Sequence, residues 1–98
     1  MHVIVWTYEV AAANNRAAFE AAYGPNGSWA LLFSLAPGFV SVELLHDGGD
    51  RYATLDRWHD EAAFAAFKAD HQSAYDALDA QCATLTTSEQ KLGAFKVV

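Results

Sequence analysis

Trp6 and Tyr8 lie two residues apart in a stretch of β-branched and aromatic types, Val3-Ile4-Val5-Trp6-Thr7-Tyr8. On an extended chain, side chains two apart share a face, so an indole and a phenol stand together there. Aromatic walls with a few polar tips suit the capture of a small aromatic molecule. Phe33, Phe64 and Phe67 fall in segments that read as helices, placed to face Trp6 and Tyr8 from the opposite layer. The plainer reading of all five is ordinary aromatic core. Asp56 shares a strand face with Tyr52 and Trp58. Buried there, its pKa would rise and it could act as a base; paired with Arg51 or Arg57 near the surface, it would be structural. His71 is the histidine best placed to exchange a proton near neutral pH, one turn past Phe67 at a possible helix break. Its competing reading is an exposed helix-surface histidine. His59 reads as a cap substitute at a helix start, His46 flanks a turn, and His2 is near the N-terminus.

Other chemistries lack their residues. His46-Asp47, His59-Asp60 and Asp70-His71 pair imidazole with carboxylate, but none has the ligand spacing of a zinc site, so no metal is expected. No Ser-His-Asp set, glycine-rich phosphate loop or paired-carboxylate signature stands out. Cys82, the only cysteine, sits on an apolar helical face as a small core residue. It cannot form an internal disulfide, which fits a reducing cytoplasm.

The elements that position these residues follow from pattern. Residues 3–10 read as a strand with Ile4, Trp6, Tyr8 and Val10 on one face and Val3, Val5, Thr7 and Glu9 on the other. Residues 13–23 read as a helix, with Asn14 or Asn15 as N-cap and Phe19 and Tyr23 on one side. Gly24-Pro25-Asn26-Gly27 breaks it, and Ser28 caps a short helix from Trp29 to Leu35. Phe39–His46 and Arg51–Trp58 read as strands joined by Asp47-Gly48-Gly49-Asp50, a hairpin turn. A helical pattern resumes at about Asp60 and carries Phe64, Phe67, Tyr75, Leu78 and Cys82; Asp70-His71-Gln72-Ser73 either interrupts it or is traversed by it. Ser88-Glu89-Gln90 suggests a helical turn before a last strand from Leu92 to Val98.

This order predicts an α+β domain over residues 1–98, a ferredoxin-like split β-α-β (βαββαβ) with an antiparallel sheet. Helices cover one face of such a sheet. The face bearing Val3 and Val5 is then left for a second copy, as in a dimeric α/β barrel. Composition is compatible with this: 53% of the 98 residues are apolar and 13% aromatic, so either the core is densely aromatic or some apolar surface is left for a partner or a ligand. Net charge is −6 and the six cations are scattered, so neither nucleic acid nor an anionic membrane surface is an expected partner. The apolar N-terminal stretch is too short for a signal peptide or a membrane span.

These residues resemble the antibiotic biosynthesis monooxygenase family of the dimeric α/β-barrel superfamily. The resemblance runs through Val3-Ile4-Val5-Trp6-Thr7-Tyr8-Glu9-Val10, Phe19, Gly27-Ser28-Trp29, Pro37-Gly38 and Val42-Glu43-Leu44. It is strongest at Tyr52, Asp56 and Trp58, then Phe64, Phe67, Tyr75, Leu78 and Asp79, and ends at Glu89, Leu92, Gly93 and Phe95. It implies a homodimer with a ligand pocket between helices and sheet. It also implies a monooxygenase without a cofactor, acting on an aromatic or quinol-like molecule whose own anion reacts with oxygen. Trp6, Tyr8, Phe33, Phe64 and Phe67 are then the expected substrate-binding residues, and His71 and Asp56 the candidate catalytic ones. The family's haem-degrading branch uses an asparagine on the first strand plus a tryptophan and a histidine on the second helix. Here the first strand has no asparagine, Phe67 stands where the tryptophan falls, and His71 comes too early for the axial histidine. Haem degradation is disfavoured on those residues. A non-catalytic small-molecule-binding or assembly module of the same fold is the other function the sequence admits.

Overall fold

The computed structural model describes residues 1–98. Four strands, β1 (His2–Glu9), β2 (Phe39–His46), β3 (Arg51–Trp58) and β4 (Ser88–Lys96), form one sheet in the order β2-β3-β1-β4. Every neighbouring pair is antiparallel. Four helices, α1 (Arg16–Tyr23), α2 (Ser28–Phe33), α3 (Glu61–Asp70) and α4 (Gln72–Cys82), fill the two crossovers. This is the ferredoxin-like βαββαβ arrangement the sequence predicts, with the second helical region broken at His71 rather than continuous.

The register fixes which side chains meet. Ile4 lies opposite Asp56, Trp6 opposite Thr54, and Tyr8 opposite Tyr52. On the other flank Trp6 lies opposite Lys91 and Tyr8 opposite Glu89. Residues directly opposite share a face, so one sheet face carries Ile4, Trp6, Tyr8, Thr54, Asp56, Glu89 and Lys91. The helices pack on that face. Phe19 and Tyr23 of α1, Trp29 and Phe33 of α2, Phe67 of α3 and Cys82 of α4 form one buried cluster with Ile4, Tyr8 and Trp58. Trp58 and Phe19 are completely buried. Rings meet edge to face at Phe33–Trp58 (5.4 Å) and Phe33–Phe67 (5.2 Å), a preferred geometry for aromatic pairs.

The other sheet face carries Val5, Thr7, Ala53 and Leu55, with Leu45 and Phe95 about half exposed. No helix covers it. Val3 is nonetheless buried, opposite Phe95 and Arg57 on the same face.

Several local expectations need correction. Ser88-Glu89-Gln90 is not a helical turn: β4 begins at Ser88, because β1 offers an unpaired edge along its full length and Ser88 pairs with Glu9. The chain leaves the sheet before Val97. Residues 13–15 form a single 3₁₀ turn ahead of α1, and Asn15 caps nothing, since its amide donates to the Thr84 carbonyl across the fold. Ser28 lies inside α2 rather than capping it, with Gly27 at the N-cap. The cap of α3 is Asp60, whose Oδ1 accepts from the Ala63 N–H at 2.8 Å, and not His59. The hairpin turn forms as expected: Gly48 has φ +87° and Asp47 Oδ1 accepts from the Gly49 N–H. At Gly38 a side chain would collide with the Cβ of Ala63, so only glycine lets β2 enter this close beneath α3.

Candidate functional site

The layer boundary between helices and sheet is not filled completely. An inner cavity of about 40 Å³ is lined by Trp6, Tyr8, Thr54 and Asp56 from the sheet and by Tyr23, Trp29, Phe33 and Tyr75 from the helices. An outer compartment of about 250 Å³ adjoins it, sharing Trp6, Phe33, Asp56 and Tyr75 and adding Ile4, Phe64, Lys68 and Lys91. Asp79 and Glu89 also line the inner cavity and border a surface depression beside Thr86 and Thr87. The site is a narrow waist with Asp56 at its junction with the wider, aromatic outer compartment.

Asp56 is held there by strand parity. β3 runs beneath the helices with Tyr52, Thr54, Asp56 and Trp58 all pointing up, and Asp56 lands between Ile4 and Val42. Its carboxylate has neither of the arginine partners that the sequence offered: Arg57 points the other way and pairs with Glu43 at 3.0 Å. Burial alone pushes the Asp56 pKa up to about 7, because an apolar surround disfavours the charged form. A carboxylate of that strength exchanges protons at neutral pH.

The phenols around it are donors. The Tyr8 hydroxyl hydrogen-bonds Thr54 Oγ1 at 3.0 Å, and burial drives its pKa far above the ordinary tyrosine value. Tyr75 is pushed up to about 12 by burial and by the nearby Asp79 and Asp56, and carries the Lys68 ammonium 3.5 Å above its ring. Burial also raises the Tyr23 pKa. Burial and the adjacent Asp79 raise the Glu89 carboxyl.

Four of the five sequence-nominated ring residues border this space: Trp6 and Phe33 line both compartments, Tyr8 the inner and Phe64 the outer. Phe67 does not. It is buried between Trp58 and Phe33 as core. His71 also stays outside, at the α3–α4 junction with its ring stacked on Phe67 at 5.3 Å. Asp56 is therefore the one of the two nominated catalytic candidates that borders the cavity. Tyr23, Trp29, Thr54, Tyr75, Asp79, Glu89, Lys68 and Lys91 were not nominated. Reading β4 from Ser88 would have found Glu89 and Lys91, which alternation puts on the same face as Tyr8 and Trp6. No three His, Cys, Asp or Glu side chains converge for a metal ion, and no helix is long and apolar enough to cross a membrane.

No family model matches the chain, and no curated protein matches it in sequence. Solved structures do. A mutant of SnoaB, a cofactor-independent oxygenase from Streptomyces nogalater, superposes with a TM-score of 0.77 at 26% identity, covering 98% of this chain and 91% of that one. MhuD from Mycobacterium tuberculosis, a heme degrader seen with two hemes in its active site, superposes with a TM-score of 0.56 at 25% identity over 100% of this chain and 96% of that one. A Nitrosomonas europaea protein provisionally described as an antibiotic biosynthesis monooxygenase shares the fold at a TM-score of 0.70 and 14% identity, covering 100% of this chain and 99% of that one. The resemblance to antibiotic biosynthesis monooxygenases read from the sequence is thus borne out by solved structures over nearly the whole chain.

Proposed function

We propose that this chain, as one domain, is a cofactor-independent monooxygenase of the antibiotic biosynthesis type acting on a hydroxylated, quinol-like aromatic. The observation that carries this reading is Asp56, an unpaired carboxylate at the neck of an aromatic cleft with its pKa near 7. The substrate ring lies in the outer compartment against Trp6, Phe33 and Phe64. Asp56 accepts the phenolic proton. The resulting ring anion passes one electron to dioxygen, the two radicals join through a new C–O bond, and the peroxide anion takes the proton back from Asp56. Loss of the ring hydrogen as a proton, together with the distal oxygen as hydroxide, leaves a carbonyl and one water. One phenol and one O₂ thus give one quinone and one H₂O, with dioxygen taking up four electrons. The likeness to SnoaB supports this chemistry.

The working unit in this reading is a cytoplasmic homodimer. The sheet face carrying Val5, Leu55, Leu45 and Phe95 lies open on one copy. Packing two such faces would supply the roughly 800 Å² per partner that a stable interface buries.

A second reading, a binding module without catalysis, is favoured by the small inner volume, which the protein's own Tyr23, Trp29 and Phe33 rings hem in. Oxygen uptake separates the two. Reduced naphthoquinols and anthrones, added anaerobically and then exposed to air, should consume one O₂ per substrate faster with protein than in buffer. Saturable binding of these compounds with no faster uptake would remove the oxygenase and leave the binding module.

A further inference from the structure

The last strand does not keep strict alternation. From Ser88 to Lys91 it pairs with β1 in one register and from Gly93 onward in the next, so Leu92 is an extra residue between Lys91, opposite Trp6, and Gly93, opposite Val5. Such a bulge re-aims side chains, and bulges gather beside functional sites. Without it, Leu92 would fall opposite Trp6, and Lys91 would fall opposite Thr7 on the open sheet face. With it, Leu92 is left exposed and Lys91 lines the outer compartment. The chain has a leucine at hand for an aromatic wall and presents an ammonium there instead.

A second lysine meets it from the helix layer. Lys68 of α3 lines the same compartment, with its Nζ 3.5 Å from the centroid of the Tyr75 ring. The two ion pairs of the fold, Arg16–Asp50 and Arg57–Glu43, leave both lysines without a carboxylate. Asp56 borders this compartment too, but it is not their partner. An ammonium beside it would pull its pKa down, and burial alone sets that pKa. In a chain of net charge −6 with six cations, two unpaired ammonium groups at one aromatic compartment ask for a negative charge from outside.

We propose that Lys68 and Lys91 hold a carboxylate borne by the aromatic substrate, at the end of the ring away from Asp56. Each ammonium donates charge-assisted hydrogen bonds to it. Asp56, Asp79 and Glu89 line the adjoining inner cavity, so the site is polarised, acidic inside and basic outside. An entering anion is drawn to the outer end and kept off the waist. The ring then lies between, against Trp6, Phe33 and Phe64, with its hydroxyl toward Asp56. The acidity of the chain favours the single charge of a carboxylate over the double charge of a phosphate. The outer compartment of about 250 Å³ is the space of roughly eight waters, room for a two-ring aromatic. This inference rests on the aromatic site proposed above and adds the charge that orients the ring in it: the substrate is a hydroxylated aromatic acid.

Anaerobic equilibrium binding at neutral pH tests it without turnover. The probes are a hydroxynaphthoate with hydroxyl and carboxylate at opposite ends of the ring system, and the matching hydroxynaphthamide, which has the same shape and no charge. Wild-type protein should bind the acid about tenfold more tightly than the amide at low salt. The ratio should fall toward one as salt rises to about 1 M, where charges are screened within about 3 Å. Lys68→Met and Lys91→Met should each lower the ratio, and together bring it near one, with amide affinity unchanged. Lys91→Arg should keep it. Lys91 is exposed and Lys68 half-buried, so neither substitution empties the core. The wild-type ratio and its salt dependence decide the matter even where a variant fails to fold. Equal affinity of wild type for acid and amide, a ratio indifferent to salt, or a ratio that survives loss of both lysines overturns this inference and spares the aromatic site. No binding by either compound overturns both.

Discussion

Replacing Asp56 with asparagine should make the protein more stable and less active, with the stability gain depending on pH. Burial lifts the Asp56 pKa from 3.8 to about 7. The sign follows from where the proton sits. Between those values the folded chain keeps the Asp56 proton and the unfolded chain has lost it, so stability falls as pH rises. Below about 4 both states hold the proton, and above about 7 neither does, so the loss is complete and constant. Moving a carboxyl from 3.8 to about 7 corresponds to about 4 kcal/mol. Asp56 is partly open to the cleft, and solvent screening brings the expected penalty to about 2–3 kcal/mol. An asparagine amide is uncharged at every pH and avoids it.

Urea unfolding followed by tryptophan fluorescence measures this at fixed protein concentration, which keeps any association equilibrium constant. The wild-type and Asp56→Asn midpoints should nearly coincide at pH 4 and separate to a variant advantage of about 2–3 kcal/mol at pH 8. Glu89 shifts in the same direction but is present in both proteins and cancels in the difference. Quinol turnover should move oppositely: the wild-type rate rises through about pH 7 as Asp56 ionises, and the variant loses on the order of a hundredfold or more. Parallel stability curves from pH 4 to pH 8 would show that Asp56 is not the desolvated group described here, whatever the activity does.

Other predictions touch the surrounding architecture. Light scattering at low micromolar concentration should give twice the chain mass for wild type, and Phe95→Glu, on the open sheet face, should give the single mass; a folded wild-type monomer refutes the covered-face argument. Gly38→Ala should lower stability by about 1–3 kcal/mol, since its Cβ meets that of Ala63. Ala63→Gly in the same chain should restore the loss in thermal unfolding, and no recovery would locate the strain elsewhere. Haem titration should give no saturable Soret shift, because His71 packs on Phe67 away from the cavity; a saturable one-to-one shift would revive the haem reading.

The fold was legible because its signals are local and agree with each other. Alternation in Val3–Tyr8, the Gly48-Gly49 turn and the Phe19–Tyr23 spacing each need only a few consecutive residues. Errors fell where a distant partner decides. Ser88-Glu89-Gln90 has little strand propensity, and becomes strand because the β1 edge needs a hydrogen-bonding partner. Asn15 is a good cap by type, and Thr84, far along the chain, takes its amide instead. Local type sets what a residue can do; the nearest unsatisfied group sets what it does.

The candidate site obeys the same rule more strictly. Asp56 was nominated by strand parity, but parity could not decide between a surface ion pair and a buried base. That depended on Arg57 facing the opposite side of β3 and on Glu43 of β2 taking it up, a choice fixed by the β2–β3 register. His71 was nominated by its chemistry and lies outside the cavity, at the helix break with its ring stacked on Phe67. Tyr23 and Trp29 look in the sequence like helix-face core, and burial bears that out for both. Their rings line the cavity only because α1 and α2 converge over the sheet face that carries Asp56. An aromatic core and an aromatic binding site use the same side chains at the same spacing. What separates them is whether a polar atom is left without a partner, and that is a property of the packed fold rather than of any one segment.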